Sequence, residues 1–124
     1  MDTTGVVEIG FLAGTGIRNV NSTATGALTN ATSDARLKEN IFEIQSGLDK
    51  VMAMRPITYT WKDTDFYGDQ TEMGFIAQEM REICPEVVGE NSDGMLSLDY
   101  AKLVAVQAKA IQELAARVAE LENA

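Results

Sequence analysis

Apolar residues fall at different spacings in three zones of the chain. Val7, Ile9 and Phe11 alternate with other residues, the period-two mark of a strand, and a Gly/Thr/Asn-rich run after them suits short strands and tight turns. In the middle zone Ser46, with Asp49 three residues on, predicts a capped helix that carries Leu48, Val51 and Met52 on one face as far as about Met54. Pro56 breaks it, and Ile57, Tyr59 and Trp61 then alternate as a half-buried strand. A second short helix is predicted from Ile76 to Ile83, stopped by Pro85. Between Val87 and Leu98, Gly89 and the run Asn91-Ser92-Asp93-Gly94 separate two apolar stretches, which is the pattern of a hairpin.

The last zone reads as one long helix with Asp99 as its N-cap. Ile111, Leu114, Val118 and Leu121 recur at steps of three, four and three, and backward extension puts Val104 at a and Gln107 at d. This rhythm predicts a coiled coil and self-association; the alternative is an amphipathic helix lying on its own domain. The fold class is therefore α+β, a small mixed domain with short strands and helices and a long C-terminal coiled-coil helix, preceded by the end of an intertwined β stalk. The expected divisions are 1–32, 33–99 and 100–124.

Composition sharpens the first boundary. Residues 1–32 hold five of the ten glycines, seven threonines and three charges, Asp2, Glu8 and Arg18, and charge density rises from Ser33 onward. That opening stretch lacks the apolar mass to fold alone, so strands from several chains would have to supply one another's core; a flexible linker is the other reading. Nineteen acidic against ten basic residues give a net charge of −9, which opposes binding to nucleic acid or to an anionic membrane surface. No apolar run approaches a bilayer span and no signal peptide is evident, so a soluble chain is expected.

The absence of histidine excludes Ser-His-Asp and Cys-His catalysis and the usual Cys/His zinc site, and the single cysteine, Cys84, cannot form an internal disulfide. No cofactor or metal is expected. Cys84 beside Pro85 reads as a small buried residue, and Tyr59 and Trp61 as core or interface aromatics. Nucleophilic chemistry would need another base, and Ser33 and Lys38 lie five residues apart where the zones meet. A lysine serves as base only if desolvation or nearby positive charge draws off its proton. Arg36 would favour that loss by repulsion, whereas Asp34 or Glu39 near the ammonium would oppose it. Spacing alone favours Ser33 as an ordinary turn residue and Lys38 as an ordinary surface lysine.

The surrounding words are more specific. Ser33-Asp34-Ala35-Arg36-Leu37-Lys38-Glu39-Asn40-Ile41 resembles the start of the S74 peptidase family, the intramolecular chaperone domains at the C-termini of phage tailspike, tail-fibre, endosialidase and neck-appendage-like proteins. Leu48-Asp49-Lys50-Val51, Tyr59-Thr60-Trp61, Gly74-Phe75-Ile76-Ala77-Gln78-Glu79, Pro85-Glu86-Val87-Val88 and Leu98-Asp99-Tyr100-Ala101-Lys102-Leu103 follow in the family's order. The resemblance implies a homotrimer that nucleates folding of its own N-terminal stalk in the host cytoplasm and is released by autoproteolysis between Thr32 and Ser33. The cleaved domain would then be absent from the mature virion. It further implies Ser33 as nucleophile and Lys38 as base. Beside that, Asp34, Arg36 and Asn40 are candidate supporting residues, and Gln78 and Glu79 are candidates to bridge subunits or touch the cleavage strand. The competing readings are a structural trimerisation cap that is never removed, and a fragment of a membrane-tethered transcription factor, which the lack of a membrane span and of a basic region disfavours.

Overall fold

The computed structural model describes residues 9–17, 19–30 and 32–124. They divide into two compact units, 1–42 and 43–124. The chain is mixed α+β, with short strands and one long C-terminal helix.

In the first unit the alternation around Ile9 does not produce a strand. Val7 lies outside the described residues, and Gly10–Leu12 closes as a 3-10 turn, with Leu12 N donating to Ile9 O (2.9 Å) and Ala13 N to Gly10 O (3.0 Å). A strand is stabilised by its partner's ladder, and without one the local i→i+3 bonds win. Strands β1 (Val20–Ser22) and β2 (Leu28–Asn30) do pair, antiparallel, with Val20 opposite Asn30 and Ser22 opposite Leu28. Thr23 closes their loop twice: its amide donates to Ala27 O (2.8 Å), and its Oγ1 accepts from Ala27 N (3.0 Å). Val20 and Leu28 nevertheless remain half exposed. This hairpin has pairing without a core.

The second unit runs α1 (Gly47–Ala53), β3 (Ile57–Tyr59), α2 (Thr64–Tyr67), β4 (Glu72–Gly74), α3 (Ala77–Ile83), β5 (Val88–Glu90), β6 (Leu96–Leu98) and α4 (Tyr100–Glu122). β3 pairs antiparallel with β4 and β5 with β6, each as a two-stranded sheet. The β5–β6 loop follows the sequence signal: Gly94 N donates to Asn91 O (2.9 Å), Asp93 Oδ1 accepts from Met95 N (2.9 Å), and Gly94 takes φ 84°, where a side chain would be strained. The helix before Pro85 and the Asp99 cap also form. Asp99 Oδ1 accepts from the amides of Ala101 and Lys102 at 3.0 and 3.3 Å, satisfying two donors that the first turn of α4 leaves free.

Met80, Cys84, Val87, Leu103 and Val106 form the core, with Ile44, Val51, Phe75 and Leu98 packed around it. Leu103, Val106 and Ala110 are the inward face of α4, spaced three and four apart. Val104, Ile111, Leu114, Val118 and Leu121, the seam read from the sequence, lie on another face and are exposed in the single chain. The helix thus carries two apolar stripes, one committed to its own unit.

Three local expectations fail in α1 and β3. Ser46 does not cap α1: its backbone is left-handed (φ 56°) and its side chain makes no capping bond. Glu113 of α4 supplies the acceptors instead, taking the Gly47 amide at 2.9 Å and the Leu48 amide at 3.5 Å. Met52 does not share the face of Leu48; it is 75% exposed where Leu48 is buried, because α1 presents a narrow face to α4. Trp61 lies beyond the end of β3.

α1 and α4 approach so closely at Gly47 that a Cβ there would sit 2.8 Å from Lys109 Cβ and 2.9 Å from the Ala110 nitrogen. Gly47→Ala should therefore lower unfolding stability in urea by about 1–3 kcal/mol, the range for overpacking a tight contact. An alanine variant as stable as the parent would show that the two helices part without cost.

Candidate functional site

Ser33 and Lys38 are brought together by one turn. Ala35–Leu37 forms a 3-10 helix, with Leu37 N donating to Asp34 O (3.1 Å) and Lys38 N to Ala35 O (3.2 Å). This turn folds the chain back, so Lys38 Nζ donates to Ser33 Oγ at 2.5 Å. Both residues are solvent-exposed, as is Thr32.

Asp34 builds the turn. Its Oδ1 accepts from the Arg36 amide at 2.9 Å and from Arg36 Nε at 3.1 Å, while Oδ2 accepts from Arg36 Nη2 at 2.9 Å. One carboxylate therefore caps the 3-10 helix and forms a forked pair with the guanidinium. The Arg36 side chain, followed by its amide, holds the Asp34 carboxyl below its ordinary value, and Asp34 raises Arg36 in return. The pair occupies each other's charge. Asn40 takes a positive φ of 53°, a conformation that asparagine tolerates, and its side chain makes no hydrogen bond to Ser33 or Lys38. The sequence pointed to Asp34 and Arg36 as charges acting on Lys38; their geometric part, an Asx-type cap, was signalled by the aspartate two residues before Arg36.

Residues 33–89 match the family described as Peptidase S74, chaperone of endosialidase. This segment belongs to that family. It begins at Ser33, the hydroxyl that Lys38 contacts. The chain is also similar to the long tail fiber protein Gp37 of Enterobacteria phage K3, at 34% identity over 98 residues, 73% of this chain and 8% of that protein. The same-named proteins of Enterobacteria phage T2 (34% over 98 residues) and Escherichia phage AR1 (33% over 87 residues) match 73% and 65% of the chain. The chain spans less than a tenth of the length of these relatives.

Glu79 binds Arg55 in a fork, with Nε at 2.9 Å and Nη2 at 2.6 Å, so its carboxylate is engaged within its own chain. Trp61 stacks on Tyr67 (centroids 4.3 Å apart, 20° between planes) and meets Tyr59 edge-on at 5.2 Å. These rings line an open groove of about 680 Å³ that Phe75, Leu98 and Tyr100 also border. Cys84 is buried in the core; burial, then its hydrogen bond to Glu86 Oε2 at 3.3 Å, pushes the thiol's pKa up, away from the nucleophilic thiolate. No group of three or more histidine, cysteine, aspartate or glutamate side chains is placed to hold a metal among the described residues, and no described helix is long and apolar enough to cross a membrane.

The depressed Asp34 carboxyl has a definite pH signature. What its bonds add to the turn is present above the ordinary value of 3.8 and is lost as pH falls through the lower folded value. Followed by the NMR shift of the Arg36 amide, the midpoint should lie below 3.8 and move up, only part of the way, in Arg36→Gln, which removes the guanidinium and keeps the amide. Equal midpoints in both chains would mean that the side-chain pair does not hold Asp34.

Proposed function

We propose that this chain is a tail-fibre chaperone domain that trimerises through α4, aligns the ends of a β-rich stalk, and is released by cleavage between Thr32 and Ser33. The observation that carries the reading is the 2.5 Å contact between Lys38 Nζ and Ser33 Oγ at the first residue of the S74 match. Residues 1–32 are the stalk end, 33–99 the self-cleaving domain and 100–124 the coiled-coil helix. The coreless β1–β2 hairpin supports the first assignment, since an isolated two-stranded ribbon is marginal in water and gains from neighbouring chains. The exposed stripe from Val104 to Leu121 supports the last, because apolar a and d positions are stable once partner helices cover them.

In the proposed reaction Lys38, as the neutral amine, takes the hydroxyl proton of Ser33, and Oγ attacks the carbonyl carbon of Thr32. The bond from that carbon to Ser33 N breaks as the nitrogen is protonated, leaving an ester to Ser33 Oγ. Water then hydrolyses the ester to the Thr32 carboxylate and restores the serine hydroxyl. Proximity supplies much of the rate, because nucleophile and target belong to one residue pair. An ammonium loses its proton more readily when water is taken from around it. Ser33 and Lys38 are open to solvent in the single chain, so assembly is assigned the task of dehydrating them.

The biological sense follows from nucleation. Strands of an intertwined stalk gain little until three chains are in register, and a trimeric cap raises the effective concentration of their ends. Cutting after assembly removes the nucleus and leaves the stalk kinetically trapped. The domain would act in the host cytoplasm during virion assembly and be missing from the mature tail.

Purified parent chain should yield fragments of 32 and 92 residues by mass spectrometry, and both Ser33→Ala and Lys38→Arg should stay whole while assembling normally. Arginine keeps the charge and cannot give up its proton. A parent that stays whole favours the permanent cap, and a cut Lys38→Arg chain would remove lysine from the role of base.

A further inference from the structure

The polypeptide that leaves the Ser33–Lys38 turn enters the second unit at Glu43. Within the next five residues it is fastened three times to a single stretch of α4. Lys109 Nζ reaches Glu43 Oε2 at 3.6 Å, Gly47 lies against Lys109 and the Ala110 backbone, and Glu113 accepts from the Gly47 and Leu48 amides. The fixed points cluster where the chain turns through the left-handed Ser46.

These three α4 residues are interleaved with the exposed seam. Ile111 lies between Ala110 and Glu113, and Leu114 follows Glu113 directly, so fewer than two turns of helix carry both the grip on residues 43–48 and two seam positions. The ion pair contributes least, since the Glu43 side chain is 86% exposed and screened by water. The Glu113 bonds are part-buried, charge-assisted, and satisfy amides that nothing else in α1's own first turn accepts.

We infer that Glu113 is a positioning residue that couples assembly to self-cleavage: helices meeting at Ile111 and Leu114 hold the 109–113 turn, and Glu113 passes that restraint to the segment leading back to Lys38. The inference rests on the self-cleavage reading. It assigns to Glu113 no contact with the reacting atoms; its effect runs through the backbone of 43–48. Without it, the seam can still form, and the chain behind Lys38 loses one of its three fastenings.

The test uses the full chain with Glu113→Ala and Glu113→Gln, measuring oligomeric state by sedimentation, hydrogen exchange at the Gly47 and Leu48 amides, and the cleavage time course. Glu113→Ala should remain trimeric, expose both amides to faster exchange, and cut about tenfold more slowly, as expected for a small misplacement of a preorganised site. Glu113→Gln keeps a carbonyl acceptor and should recover most of the rate. If the alanine variant fails to trimerise, Glu113→Asp takes its place, with the same charge on a shorter arm and the same expected slowing. A trimeric Ala or Asp variant with exposed amides that cuts at the parent's rate overturns the coupling and leaves the Ser33–Lys38 reading intact. A parent that never cuts overturns both.

Discussion

Gly47 lies against α4 with no room for a side chain between them, and the packing of the second unit follows from that approach. Because the backbones are so close, Glu113 can reach past Gly47 to the free amides of α1, and Ala110 can be buried without a cavity. One and two turns earlier, Val106 and Leu103 of the same helix complete the core with Met80, Cys84 and Val87. At its start, Asp99 caps the helix, its amide donates to Val87 O at 2.8 Å, and Lys102 Nζ donates to Glu86 O at 3.3 Å. Two-stranded ribbons such as β3–β4 and β5–β6 have little stability of their own; Val88 and Leu98 of the second pack on the core that α3 and α4 build. The same helix is left with a second, exposed apolar stripe, the surface through which assembly is proposed.

How much of this was legible depended on whether the deciding partner was near in sequence. The β5–β6 hairpin, the Asp99 cap and the helix before Pro85 rest on residues within a few positions of one another, and each formed where the pattern put it. The pattern of α1 misled because its cap is Glu113, more than sixty residues away, and no local motif announces a carboxylate arriving from another helix. Ser46 had the right chemistry and the wrong backbone. Met52 has the spacing of a buried residue, but a seven-residue helix lying on one neighbour buries only a narrow strip. The short helix α2 is bracketed by a local signal, Asp63 as N-cap and Gly68 as C-cap, but four residues are too few to show a helical apolar period. Nothing in the spacing marks the stacking of Trp61 on Tyr67.

At the candidate site, the residue types were visible and the geometry was not. Ser33 and Lys38 five apart is a weak pattern until Asp34 folds the intervening residues into a 3-10 turn. The aspartate and arginine, each expected to act on the lysine's charge, spend their charges on each other. The lysine is therefore left with the serine as its close contact, and in the proposed trimer its surroundings become the deciding variable. Electrostatics within one chain prepare the site; exclusion of water by neighbouring chains is proposed to activate it.

That division of labour is tested most directly by dilution. The full-length chain is diluted across its assembly transition, with the trimer fraction measured by sedimentation and released fragment measured on the same samples. The cleavage rate per chain should fall in step with the trimer fraction and vanish in the monomer. A dilute monomer that cuts as fast as the trimer would show that each chain carries a complete active site, and the proposed role of assembly in activating Ser33 and Lys38 would be wrong.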